Sequence, residues 1–222
     1  MKIKEILTEL IGIKNKVKDL PTNPKLNSWK TGYPLGVEWH DVMTANGFSP
    51  LGKGNFGTVW EHPNLPYVLK IFSDTDVAYI NWVTTAIDNK SNPHMPRFVS
   101  RKPFQIVPGV MAIRTERLSH IDGTRYNLLR RPLAVMIEEA TINRTSASQI
   151  IESELWKLLK FNSFMAYCKA YPDFVPALDI VIKSIMQPGH RPDLHDDNMM
   201  MRGSVIVFTD PVFEKSSLMK RL

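Results

Sequence analysis

The pattern of the chain changes once, near Gly123, and that change limits what it can fold into. From Phe48 onward apolar residues come in short β-branched or aromatic runs. Thr58-Val59-Trp60-Glu61 and Tyr67-Val68-Leu69-Lys70-Ile71-Phe72 are parted by Pro63, Asn64 and Pro66, which predicts a hairpin. Residues 75–88 read as helix, and residues 98–104 and 109–118 as two further strands. Beyond Gly123 helical spacing dominates, over residues 133–142, 147–170 and 175–186, the last stopped by Pro188-Gly189. A final pair of short strands, 198–201 and 205–209, turns at Arg202-Gly203-Ser204. The order predicts an α+β architecture: a mostly-β lobe, then a mostly-helical one, with a ligand cleft between.

Ahead of these lobes, Ile3, Ile6, Leu7, Leu10, Ile11 and Ile13 fall close to helical spacing within residues 3–19. A connector rich in Pro and Gly follows, with a short helix expected over residues 38–46 and ended by Gly47. The expected division is residues 1–46 as helix and connector, 47–118 as a β-rich nucleotide-binding lobe and 119–222 as a helical lobe. A length of 222 residues suits two lobes, and apolar and charged fractions of 43% and 23% allow a packed core.

Charge and cysteine content exclude little but narrow the setting. The net charge is +6 and the pI about 9.4, yet the basic residues are scattered, with no aromatic–basic stripe of the nucleic-acid-binding kind. A polyanionic nucleotide or an acidic protein would use the same excess. No apolar stretch has the length of a membrane span, and the N-terminal run is interrupted by acidic residues, so neither a membrane segment nor a signal peptide is expected. Cys168 is the only cysteine, which rules out a disulfide within the chain and fits a reducing cytoplasm. It reads as a buried apolar residue and not as a nucleophile.

Three signals carry chemistry. Gly52-Lys53-Gly54-Asn55-Phe56-Gly57-Thr58-Val59 lies between two strands; glycines let backbone amides approach a triphosphate, although a flexible hairpin turn would look the same. A strand follows it, so it is not a dinucleotide-fold fingerprint. Lys70, thirteen residues beyond Gly57 and within an apolar run, could reach α- and β-phosphates or simply face solvent. Asp193-Leu194-His195-Asp196-Asp197-Asn198 places an Asp five residues before an Asn, and Thr209-Asp210-Pro211 follows twelve residues later. Phosphoryl transfer needs a carboxylate near the acceptor hydroxyl and oxygen ligands for magnesium; Asp193 suits the first role, Asn198 and Asp210 the second. Either piece alone reads as a polar loop capped by its own side chains. Together, in this order, the four parts point to a kinase.

The arrangement resembles the protein-kinase-like superfamily over about residues 47–215. More narrowly, Asp193-Leu194-His195-Asp196-Asp197-Asn198-Met199-Met200 with Phe208-Thr209-Asp210-Pro211-Val212 is similar to the early-gene protein kinases of T-seven-type podoviruses. The resemblance implies a bilobal kinase-like fold with a truncated helical lobe, and an ATP- and Mg2+-dependent transfer to Ser or Thr of bacterial host proteins, the transcription machinery among the candidates. It places the protein in the host cytoplasm, with no direct nucleic-acid partner. It implies that Gly52, Gly54 and Gly57 cover the phosphates with Val59 beside the nucleotide, and that Lys70 pairs with the phosphates. Asp193 would deprotonate the acceptor, and Asn198 and Asp210 would hold magnesium. Backbone at Glu116-Arg117-Leu118 would bond the adenine.

The departures from the pattern matter equally. Arg191-Pro192 stands where His-Arg usually precedes the catalytic Asp, so no phosphorylated-loop switch is expected. His195 stands in place of the usual lysine, as in small-molecule aminoglycoside and choline kinases; its alternative is a histidine that only bonds loop neighbours. Pro211 replaces Phe and restricts Asp210. Helix 75–88 has no Glu to pair with Lys70; Asp76 and Asp88 are stand-ins, and Glu138 and Glu139 read as a solvated face. With twelve residues after Asp210, acceptor recognition falls to residues 1–46 or to the insert between Ser119 and Ser148. Ser216 and Ser217, beside basic Lys215, Lys220 and Arg221, are candidate autophosphorylation sites. Two rivals stay open: a small-molecule phosphotransferase, and a pseudokinase-type protein that inhibits a host factor by binding.

Overall fold

The structure, a computed structural model, describes residue 40 and residues 43–53, 57–107 and 109–214. The expected N-terminal helix, most of the connector, Gly54, Ser216 and Ser217 lie outside the described residues. The chain is mixed α+β, with antiparallel sheets, and divides into two compact units. The first comprises residues up to Asp76 together with 98–117; the second comprises 77–97 together with residues from Leu118 onward. None of the described helices is long and apolar enough to cross a membrane.

The first unit is a five-stranded antiparallel sheet made of β1 (Ser49–Lys53), β2 (Gly57–Glu61), β3 (Tyr67–Ser73), β4 (Phe104–Val107) and β5 (Val110–Glu116), in the order β1-β2-β3-β5-β4. The expected β2–β3 hairpin forms, with Val59 opposite Lys70 and Trp60 opposite Leu69. Side chains alternate across a strand, so Trp60, Leu69, Ile71 and Ala112 share one face and close a core with Met43, Phe48, Ile106 and Val110. Of the strand expected over 98–104, Phe98 makes only an isolated bridge to Thr115, and the strand proper starts at Phe104.

The second unit holds α1 (Val77–Asp88), β6 (Ser119–His120), α2 (Gly123–Asn143), α3 (Ala147–Glu152), α4 (Glu154–Leu159), α5 (Asn162–Ala170), α6 (Phe174–Ile185), β7 (His190–Pro192), β8 (Met199–Arg202), β9 (Val205–Phe208) and β10 (Val212–Glu214). Helix α1 was expected within the β-rich lobe but groups with this unit. Its stripe Ala78, Tyr79, Trp82, Val83 and Ala86 is buried, it packs on α6 and β10, and the Trp82 indole N–H donates to the Thr209 carbonyl at 3.2 Å. Residues 89–97 are held in the same unit, because Asn92 donates to the Asp173 carbonyl and Arg202 to the carbonyls of Pro93 and Met95.

Two helix boundaries differ from the sequence expectation for local reasons. Helix α2 starts at Gly123 and not at Leu133, with Pro132 inside it; the Asp122 carboxylate caps it by accepting from the Arg125 amide at 2.8 Å. The single helix expected over 147–170 is three. The Ser153 hydroxyl donates to the Ile150 carbonyl and accepts from the Trp156 amide, ending one helix and starting the next, and Lys160 turns the chain in the left-handed region at φ 51°. Aromatic packing closes this unit's core, with Phe174 stacked on Phe208 at 5.7 Å and set edge-on to His94 and Tyr167. Burial pushes the Tyr167 hydroxyl up to about 12 and the Cys168 thiol up to about 11, so Cys168 is the inert, buried residue expected.

Gly57 is required by this packing. A Cβ there would lie 2.5 Å from the Ile71 carbonyl oxygen on the paired strand and 3.0 Å from Phe72 Cβ. Gly57→Ala should therefore cost about 1–3 kcal/mol in urea unfolding. Gly52→Ala, where a Cβ meets nothing within 4 Å, should stay within about 0.5 kcal/mol. His94 offers a second check. It is fully buried, its Nδ1–H donates to the Ile206 carbonyl at 2.7 Å, and Nε2 has no partner, so desolvation lowers its pKa below 6.5. The unfolded chain then takes up the proton first. Stability is full above the unfolded value and falls as pH drops below it, by at most about 1.4 kcal/mol per pH unit for one group. Urea midpoints between neutral and mildly acid pH should fall in the wild type, and fall less in His94→Phe.

Candidate functional site

The candidate residues gather into two groups, one in each unit. In the first unit the strand registers run Gly52 opposite Val59, Val59 opposite Lys70 and Lys70 opposite Ile113, so one cross-strand row carries three of the nominated residues. Residues directly opposite share a face, which puts Lys70 beside Val59 on the side of the sheet away from the Trp60–Leu69–Ile71 core. Gly52 is exposed and leaves open space where a Cβ would stand. Gly57, opposite Phe72, lies on the same face and is buried. Lys70 is half-buried.

In the second unit, backbone pairing brings the two ends of the site together. Strand β7 pairs with β10, and the Asp193 amide donates to the Pro211 carbonyl at 2.9 Å. Strand β8 pairs with β9, and the Thr209 amide donates to the Asn198 carbonyl at 2.9 Å. The loop 193–198 and the turn 209–211 are therefore stitched at both ends, with half-buried Asp193 and Asp210 on adjacent backbone. Met199 and Met201 are buried, and Met200 between them is half-buried.

Asn198 is the centre of this loop. Its Nδ2 donates to the Asp193 carbonyl at 2.8 Å and lies 2.9 Å from His195 Nε2. The carbonyl can only accept, which fixes the amide orientation. His195 is held from both ring nitrogens: Nδ1 accepts from the Asp197 amide at 3.3 Å, and Nε2 lies 3.6 Å from the Asp193 carboxylate. With Nδ2 turned to the Asp193 carbonyl, Oδ1 is the group Asn198 can offer a ligand.

The donors fit a hard divalent ion. Asn198 Oδ1 and the Asp210 carboxylate are oxygen ligands of the kind magnesium takes, brought near each other by the β8–β9 hairpin. His195, Asp196 and Asp197 form another cluster of metal-ligating type, and all three are exposed.

The remaining nominated residues are scattered. Glu116 ends β5 opposite Tyr67, on the face away from Lys70, and Leu118 is half-buried just beyond that strand. Asp76, one of the stand-ins for the missing glutamate, is 6% exposed immediately before α1, whereas Asp88 is exposed at the end of that helix. Glu139 accepts from the Asn143 amide group, and Glu138 is exposed on α2. Trp60, Trp82 and Trp156 are buried packing residues. What the sequence did not reveal is a stripe of α2 side chains, including Tyr126, Arg130 and Ile137, facing the Asp193 loop; its 126, 130, 133, 137 spacing was legible, but Pro132 hid the continuity of the helix.

The tie between Asn198 and the loop is directly testable. Asn198→Ala should cost about 1–3 kcal/mol in urea unfolding because the Asp193 carbonyl loses its donor.

Compared with models of known protein families the chain matches none, and a comparison with curated proteins likewise finds no match.

Proposed function

We propose that the chain is an ATP- and magnesium-dependent protein kinase with a kinase-like bilobal fold, acting on Ser or Thr of bacterial host proteins in the host cytoplasm during phage infection. The phage setting and the class of substrate rest on the resemblance of residues 193–200 and 208–212 to the podovirus kinases. The observation that carries the reading is the stitched loop. Asn198 holds the Asp193 carbonyl through Nδ2, keeps Oδ1 for an ion, and is tied by backbone to the turn that bears Asp210.

Each group supplies one part of a single chemistry. Gly52 gives backbone access without a Cβ, and Lys70 and Val59 share its cross-strand row, which suits a phosphate chain and the body of a nucleotide. Asp193 is the carboxylate that orients the acceptor hydroxyl and takes its proton. Asn198 and Asp210 would hold magnesium, which when bound neutralises charge developing on the phosphates. Catalysis is then positioning and charge stabilisation, with direct in-line transfer and no covalent enzyme intermediate.

The test is transfer from γ-labelled ATP with magnesium to proteins of a bacterial extract, comparing wild type with Asp193→Asn and Lys70→Met. Label should appear on Ser or Thr and fall at least about 100-fold in Asp193→Asn. ATP turnover with label only on small hydroxyl compounds would replace this reading by the small-molecule kinase. Magnesium-dependent ATP binding without turnover would replace it by the pseudokinase.

A further inference from the structure

A groove of about 740 Å³ runs between α2 and the loop that carries Asp193, wholly within the second unit. One wall is a helical stripe from Tyr126 to Ile142, about 24 Å long at 1.5 Å per residue. The other is residues 192–195, so the carboxylate assigned to the acceptor proton is part of the wall. The floor is apolar, with Leu133, Ile137 and Leu194, and Ile142 is 69% exposed at its end.

Two charges of opposite sign stand on the helical wall. Arg130 and Glu138 are both exposed, neither forms an ion pair with another described residue, and eight residues separate them, about 12 Å along the helix. A small hydroxyl compound would fill a fraction of this length and leave both charges without a partner. An extended polypeptide at about 3.3 Å per residue spans the stripe with some seven residues.

We propose that this groove is the acceptor site, and that it takes an extended protein segment carrying the target Ser or Thr with an apolar residue close by, an acidic side chain for Arg130 and a basic one for Glu138. The proposal rests on the kinase reading and adds to it the sequence class of the substrate. In the step it serves, the acceptor oxygen bonds to the γ-phosphorus as the bond from that phosphorus to the β-γ bridging oxygen breaks. ADP leaves, and the hydroxyl proton goes to the Asp193 carboxylate. The floor would hold the apolar neighbour, and the charge pair would fix the direction in which the segment runs.

A positional-scanning library of nonapeptides with a fixed central Ser, assayed with the full chain and magnesium–ATP, tests this. Wild type should select an aliphatic or aromatic residue at one flanking position and an acidic residue at another. Arg130→Glu, a change at an exposed helix position, should turn the acidic preference into a basic one. Ile137→Glu should raise KM for the best peptide about 10-fold while KM for ATP moves less than twofold. If wild type labels library peptides and neither variant alters selection, the groove is not the acceptor site and the kinase reading stands. The groove is equally ruled out if wild type labels proteins of a bacterial extract but no library peptide. If wild type labels neither, both fall together.

Discussion

The antiparallel pairing of His190–Pro192 with Val212–Glu214 is the constraint on which the candidate centre depends. It fixes where the loop 193–198 leaves the sheet and where the turn 209–211 enters it, and the β8–β9 hairpin fixes the other two ends. Four backbone anchors therefore define a loop and a turn, and the Asn198 amide adds a side-chain bond to the Asp193 carbonyl. Backbone pairing is nearly indifferent to side-chain identity, so polar and acidic residues can be gathered there while Met199, Ile206, Val207 and Phe208 hold the hairpin in the core. The polar centre is thus carried on an apolar hairpin; neither would be placed without the other.

The glycines of the first unit show how one motif can serve two physical ends. Gly57 is demanded by the protein itself, because the neighbouring strand leaves no room for a Cβ, and a glycine would be needed there in a sheet that bound nothing. Gly52 is different: it faces open space on the cross-strand row of Val59 and Lys70, and nothing in the described packing requires a missing side chain. Of the two described glycines of the motif, Gly52 is the one whose open side leaves room for a ligand, although both fit the motif equally well.

Much of the fold was legible because its signals are local. The β2–β3 hairpin announced itself through Pro63, Asn64 and Pro66, and the β8–β9 hairpin through Gly203, which adopts a left-handed φ of 62° at the turn. The Asp-to-Asn spacing identified the residues that meet in the second unit. What was hidden depends on tertiary contact or on weak breakers. No feature of residues 77–88 says that the helix packs with α6 and β10, since its apolar stripe would suit a sheet equally well. Ser153 and Lys160 break the helical run without Gly or Pro, by side-chain capping and a left-handed turn that sequence periodicity does not register. The helix expected from residue 133 starts earlier, at Gly123, where Asp122 caps it, and Pro132 lies buried inside it.

Asn198 gains a physical account from hydrogen-bond arithmetic. Its Nδ2 donates to the Asp193 carbonyl, which can only accept, so the amide cannot flip without losing that bond. The oxygen consequently keeps a fixed direction. His195 sits against the same amide, with Nε2 2.9 Å from Nδ2 and 3.6 Å from the Asp193 carboxylate, while Nδ1 accepts from the Asp197 amide at 3.3 Å. These are bonds to loop neighbours, the alternative left open for this histidine, and they carry no preference between a protein and a small-molecule acceptor. Under the proposed kinase reading the choice between acceptors therefore passes to the groove beside Asp193, whose helical wall of about 24 Å is longer than a small hydroxyl compound.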